Sequence, residues 1–176
     1  MSAANDVRLG PFMLDDVDEA RALWQATGMW LRPSDGREQM ALLLERDPDL
    51  QLAARDGSGR LVGTALGGWD GRRAYVYHLA VAPDRQRQGI AGALLDELEA
   101  RFRARGALKA KLQILVGNEG SRAFFGRRGY LVESDCEPWG KELVPGGAPP
   151  ACCDPAAPAT LRAAGDDGSG APPCRC

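Results

Sequence analysis

The stretch LAVAPDRQRQGIAGALLDEL, residues 79–98, restricts what this chain can become more than any other. It opens as an apolar run suited to a strand and is stopped by Pro83, which cannot donate to a central ladder. It closes with Ile90, Leu94, Leu95 and Leu98 at helical spacing, continued by Phe102. A strand must therefore pass straight into an amphipathic helix of about 18 residues, residues 88–105, roughly 27 Å long. The first N–H groups of that helix have no acceptor within it and carry the positive end of its dipole. An anion there is favoured by about 0.3–1 kcal/mol, and by about 2 when partly buried. Gly89 removes the Cβ that would hold a phosphate off the backbone, Ala91 keeps the same surface low, and Ile90 points to the core. Arg85 and Arg87 add positive charge nearby. A dinucleotide fingerprint needs G-x-G-x-x-G, and a P-loop needs Gly-Lys-Ser/Thr. Neither occurs here, so the pattern predicts a different phosphate-holding loop.

The rest of the chain alternates in period around this junction. Residues 7–13 read as a short strand, and residues 15–27 as a helix with Val17, Ala20, Leu23 and Trp24 on one face. Residues 37–46 form a second helix. Residues 51–55 and 61–69 read as paired strands joined by Asp56-Gly57-Ser58-Gly59, and residues 73–81 as a long strand after the Asp70-Gly71 turn. Beyond the long helix, residues 112–116 read as a strand and residues 119–128 as a short helix. Residues 130–133 and 140–143 read as final strands. Strands with helices set between them give an α/β (α+β) layered sheet of mixed direction.

Composition sets the outer limits. Hydrophobic residues make up 44% of the 176, enough for one globular core. A net charge of −2 argues against general nucleic-acid binding. No run of about 18 apolar residues exists to span a membrane, and MSAANDVRLG lacks the features of a secretory signal. The expectation is a cytoplasmic protein, monomer or homodimer, with no nucleic-acid or membrane partner and no metal. Residues 146–176 are rich in Ala, Pro and Gly and read as a disordered tail after a domain of residues 1–145. That tail holds Cys152, Cys153, Cys174 and Cys176, whose spacing is not the usual zinc pattern. In a cytosolic chain they read as reduced thiols.

The segment Gln86-Arg87-Gln88-Gly89-Ile90-Ala91 resembles the phosphate-binding signature Gln/Arg-x-x-Gly-x-Gly/Ala of the GNAT superfamily of N-acetyltransferases. LAVAP (residues 79–83) is similar to that family's fourth strand, and NEGSRAFFGRRGY (residues 118–130) to its Asn-plus-short-helix element. The resemblance covers about residues 6–144. It implies a mixed, mostly antiparallel central sheet, splayed between the fourth and fifth strands and flanked by about four helices. It implies acetyl-CoA as co-substrate, lying where residues 73–81 and 112–116 part. Main-chain groups of Leu79, Ala80 and Val81 would pair with the pantetheine arm, as a strand edge pairs with a peptide. The loop of Gln86, Arg87, Gln88, Gly89, Ile90, Ala91 and Gly92 would hold the diphosphate. Asn118 and Phe125 would line the other side of the arm.

Two positions depart from the family. The Tyr that often protonates the leaving thiolate is Phe125 here, and the Glu base of the branch acting on ribosomal-protein N-termini is Gln113. Tyr77 and His78 are substitute catalytic candidates, and strand alternation places Tyr75 and Tyr77 on one face and His78 on the other. An acceptor pocket would draw on Trp30 as a wall, Arg32 to pair a carboxylate and Asp70 to attract an amine. The expected function is acetyl transfer from acetyl-CoA to the amine of a small molecule or protein, by direct attack in a ternary complex. The competing expectation, motivated by Phe125 and Gln113, is an acyl-CoA-binding module without turnover.

Overall fold

The computed structural model describes residues 6–141 and 143. The chain divides into two compact units, residues 1–113 and 114–176. The first contains β1 (Arg8–Pro11), α1 (Val17–Ala26), α2 (Arg37–Arg46), β2 (Gln51–Arg55), β3 (Leu61–Trp69), β4 (Ala74–Val81), α3 (Ile90–Ala104) and β5 (Ala110–Lys111). The described part of the second contains α4 (Glu119–Arg127). The tail expected at residues 146–176 lies outside the described residues, as do its cysteines; Cys136 is exposed.

The sheet has the order β1-β2-β3-β4-β5. Its first four strands are antiparallel, and β5 runs parallel to β4. Tight turns make the antiparallel part possible. Between β2 and β3, Asp56 accepts from the Ser58 and Arg60 amides, and Gly59 takes φ +88°, where a side chain is strained. Between β3 and β4, Asp70 accepts from the amides of Arg72 and Arg73 at 2.7 and 2.5 Å. A parallel neighbour needs a long crossover instead, and α3 is that crossover.

Each face of the sheet takes its own helix. α3 lies so close to β3 that a Cβ on Gly67 would stand 2.7 Å from Leu98 and 2.9 Å from Phe102. Leu94, Leu95 and Leu98 are fully buried there, and each contributes about 1.5–3 kcal/mol by leaving water. On the opposite face, buried Trp24 of α1 donates its indole N–H to Thr64 of β3 at 2.9 Å. No described helix is long and apolar enough to cross a membrane.

Three strand expectations are corrected. Residues 112–116 do not form the fifth strand; β5 is Ala110–Lys111, with only the pairs Ala74↔Ala110 and Tyr75↔Lys111. Residues 130–133 are not a strand, and neither are the described residues of 140–143. Hydrophobic spacing marks residues suited to a ladder but does not supply a partner edge. Leu131 and Val132, within the expected strand, are 87% and 81% exposed.

Candidate functional site

At the junction of β4 and α3 the chain leaves Val81, makes a single 3-10 turn at Pro83–Arg85, and opens α3 at Ile90. The first bond of the helix runs from the Ala93 N–H to the Gly89 carbonyl, 3.0 Å. The amides of Ile90, Ala91 and Gly92 therefore have no acceptor within α3. Gly89 has φ +85° and Arg87 φ +59°, and a Cβ built on Gly89 meets nothing within 4 Å. The surface at Gly89 is open, which suits a diphosphate held by main-chain donors.

Side chains brace this loop. Gln86 donates from Nε2 to the Val81 carbonyl at 3.2 Å, tying the loop back to the strand. Gln88 Nε2 donates to the Asp84 carbonyl at 3.4 Å, while its Oε1 is buried with no partner among the described residues. The two arginines have different roles. Arg87 is exposed. Arg85 pairs with Asp56 at 3.1 Å, so its charge is largely spent inside the protein and not free for a phosphate as expected. The hydrogen bond from Ser58, with those from Arg85 and Arg60, holds the Asp56 carboxyl well below its ordinary range despite some desolvation.

Upstream, β4 carries an irregularity the sequence did not announce. Thr64 pairs with Ala80 but Leu66 pairs with Tyr77, so three steps on β4 match two on β3. The extra residue is a bulge at residues 78–79, with His78 at φ +44°. Thr64 Oγ1 donates to the His78 carbonyl at 2.7 Å and holds it there. The bulge overturns the alternation argument. His78 lies on the α1 face, its ring 4.1 Å from that of Trp24, and Tyr77 is on the same face, over Gly68. Beyond Tyr75, the outer edge of β4 has no strand partner among the described residues. Leu79, Ala80 and Val81 thus lie on an edge able to pair with an extended arm.

His78 Nε2 stands 3.1 Å from Asp35 Oδ1. Asp35 is 3% exposed and also accepts from the Arg32 amide at 2.6 Å. Burial alone would raise its pKa. The His78 bond, the Arg32 amide and the charges of His78 and Arg21 outweigh that and hold the carboxyl below its ordinary value. Sequence reasoning did not single Asp35 out, because an Asp after Pro33-Ser34 reads as ordinary turn chemistry. Nothing in a sequence of this kind links residue 35 to residue 78.

The remaining expected residues are placed as follows. Tyr77 is 44% exposed and stacks on Tyr75 with centroids 6.0 Å apart. Desolvation, then the neighbouring Tyr75, pushes its pKa up. Trp30 is half-buried beneath the Arg32 guanidinium at 5.7 Å. Asp70 closes its turn, and the amides of Arg73 and Arg72 lower its pKa. In the second unit, Asn118 caps α4 by accepting from Ser121 at 3.0 Å. Phe125 of that unit packs edge-on against Phe124 and Tyr130. No metal-binding cluster occurs among the described residues.

Residues 14–130 match the Acetyltransferase (GNAT) family. An acetyltransferase of Sodalis glossinidius is 35% identical over 134 residues, covering 76% of this chain and 93% of that protein. An acetyltransferase of Pectobacterium atrosepticum is 36% identical over the same extent. Among solved structures, the PaiA N-acetyltransferase of Thermoplasma acidophilum, in complex with coenzyme A, superposes with a TM-score of 0.65 at 19% identity. It covers 74% of this chain and 92% of that one. The ribosomal-protein-S18-alanine N-acetyltransferase of Escherichia coli gives 0.58 at 23% identity, over 70% and 76%. At such identities the likeness shows the fold. The chain belongs to the acetyltransferase (GNAT) family. Members of this family draw the acetyl group from acetyl-CoA and pass it to an amine, and this chain is an N-acetyltransferase of that kind.

Proposed function

We propose that this chain acetylates a primary amine, on a small molecule or a protein, by direct attack within a ternary complex with acetyl-CoA. The observation that carries the reading is the open run of unpaired amides at the start of α3, next to the unpartnered edge of β4. The residues present fit the co-substrate, because main-chain donors at residues 87–92 suit a diphosphate and a Cβ-free surface admits it. Gln86 and Gln88 brace that loop. Leu79, Ala80 and Val81 would align the pantetheine arm, and Asn118 and Phe125 would line it.

Bound acetyl-CoA supplies a thioester carbonyl. The acceptor nitrogen forms a bond to that carbon, the C–S bond breaks, and the thiolate leaves. A free amine is protonated near neutral pH, with a pKa of about 10.4 for a lysine, so a base must take its proton. His78 is assigned that role. Tyr77 donates a proton to the departing thiolate, its phenol being protonated near neutral pH as any tyrosine is. Trp30, Arg32 and Asp70 would shape the acceptor side.

Within the family, LRPSDGREQM (residues 31–40) and VGTALGGWDGRRAYVYHLAV (residues 62–81) resemble the bacterial acetyltransferase YpeA. The proposal includes a catalytic domain of residues 1–145 followed by a dispensable tail, acting in the cytoplasm as monomer or homodimer. Release of CoA thiol across a panel of small amines and protein N-termini tests the reading. Acetyl-CoA-dependent thiol release with at least one amine is expected. Tight CoA binding with no release across the panel would replace the enzyme with a silent CoA-binding module.

A further inference from the structure

We propose that Asp35 is a positioning residue that holds His78 in the one tautomer able to accept the acceptor's proton. The inference rests on the reading that His78 serves as base in amine acetylation. Asp35 uses its two oxygens differently. Oδ2 accepts from the Arg32 amide and closes the turn at Pro33–Asp35, a task an uncharged Asn would perform equally well. Oδ1 faces His78 Nε2. Turn closure therefore leaves the negative charge unexplained, and burying a charge in a nearly dry site is unfavourable without a partner that needs it. Arg21 lies nearby but gives its hydrogen bond to the Asp35 main-chain carbonyl, so the side-chain partner of Oδ1 is the imidazole.

An ionised carboxylate only accepts hydrogen bonds, so the proton between the two groups sits on His78 Nε2. Nδ1 then carries the lone pair, and it has no hydrogen-bond partner among the described residues. The ring cannot easily turn away. Trp24 packs against it, the Trp24 N–H is tied to Thr64, and Thr64 in turn holds the His78 carbonyl at the bulge. His78 is thus fixed by its own backbone, by a ring face and by Asp35 together. It directly precedes Leu79, the first residue of the edge assigned to the pantetheine arm.

The charged surroundings are few. From α1, Arg21 donates to the Asp35 carbonyl at 2.8 Å. From the loop come Asp35 itself and Arg32, whose amide is bound and whose guanidinium lies over Trp30. β3 contributes only Thr64, and β4 contributes the adjacent Tyr77.

The test uses Asp35→Asn and His78→Gln in the full chain, with an amine that the panel identifies. kcat and KM are measured, and the imidazole nitrogens are followed by 15N NMR. His78 is the sole histidine, so its signals need no assignment. In wild type the spectrum should report hydrogen on Nε2. Asp35→Asn should lower kcat by at least about tenfold, leave KM for acetyl-CoA unchanged and move hydrogen toward Nδ1. His78→Gln should lose at least as much kcat. Unchanged kcat and unchanged nitrogen shifts in a folded Asp35→Asn would overturn the proposal. If that variant does not fold, wild type with hydrogen on Nδ1, or His78→Gln with full kcat, would overturn it. A wild-type protein that acetylates no amine, yet shows the Asp35-dependent tautomer, would instead overturn the transferase reading on which the role rests.

Discussion

The two ends of β4 recruit their chemistry in opposite ways. At the C-terminal end, the loop into α3 works with main-chain amides and the absence of side chains, all within residues 86–92. At the bulge, His78 is set by Trp24, Asp35 and Thr64, which come from α1, the loop before α2, and β3. The first kind of site is local and generic, since any sequence with the same small residues can build it. The second is assembled across the fold, from residues distant in sequence. Six substitutions can break or sharpen that contrast.

The largest effect should come from Gly89→Glu. The position is open, so the fold has room for the side chain, but φ +85° is costly for a non-glycine residue and the carboxylate would oppose a diphosphate. Acetyl-CoA affinity measured by calorimetry should fall by at least about a hundredfold, roughly 2.7 kcal/mol. The thermal transition should move by only a few degrees. Unchanged affinity would show that the diphosphate is held elsewhere and would remove the local half of the contrast.

Next comes the acid dependence of stability at the bulge. The Asp35 carboxyl titrates below its ordinary value of 3.8 in the folded protein. Its contribution is thus fully present above the unfolded value and is lost as pH falls through the folded one. Wild type should lose thermal stability below about pH 4, with other paired carboxylates contributing to the loss. In Asp35→Asn the same curve should start lower and fall less steeply through that window. Parallel curves for the two proteins would mean the charge at residue 35 is not coupled to folding.

The arginines of the phosphate loop allow a finer comparison. Arg87 is exposed and Arg85 is committed to Asp56. Arg87→Gln should weaken acetyl-CoA binding about fivefold at low salt, about 1 kcal/mol, and less at 0.5 M NaCl, where screening is short-ranged. Arg85→Gln should act mainly on the thermal stability of the β2–β3 turn. A larger affinity loss for Arg85 than for Arg87 would reverse this division.

Much of the local half was legible in advance. Pro83 after an apolar run, Gly89 and Ala91 at their spacing, and the Leu94–Leu95–Leu98 stripe give strand, loop and helix without tertiary information. The antiparallel strands were legible for the same reason, through the Asp56–Gly59 and Asp70–Gly71 turns. What failed depended on partners distant in sequence. Residues 112–116 have strand character, but the parallel ladder with β4 stops at Lys111. Alternation put His78 on the wrong face because one inserted residue resets a period of two. Asp35 was invisible as a site residue because its turn bond and its bond to His78 use the same carboxylate, and only the first has a local signature.

The smallest expected effect concerns Phe125, where the resemblance noted in the sequence led to an expectation of Tyr. If the thiolate lacks a strong protein acid, Phe125→Tyr should raise kcat by about two- to threefold, far short of the 10²–10⁴ that a fully positioned acid supplies. The gain is small because Tyr77 is the proposed donor, and because the new hydroxyl enters a ring packed edge-on against Phe124 and Tyr130. The measurement is kcat for Phe125→Tyr alone and combined with Tyr77→Phe. If Tyr77 is the donor, Tyr77→Phe should lower kcat and the second substitution should recover part of the loss. Equal kcat in all four proteins would mean that the thiolate leaves without a protein acid, and the side-chain half of the contrast would then rest on His78 and Asp35 alone.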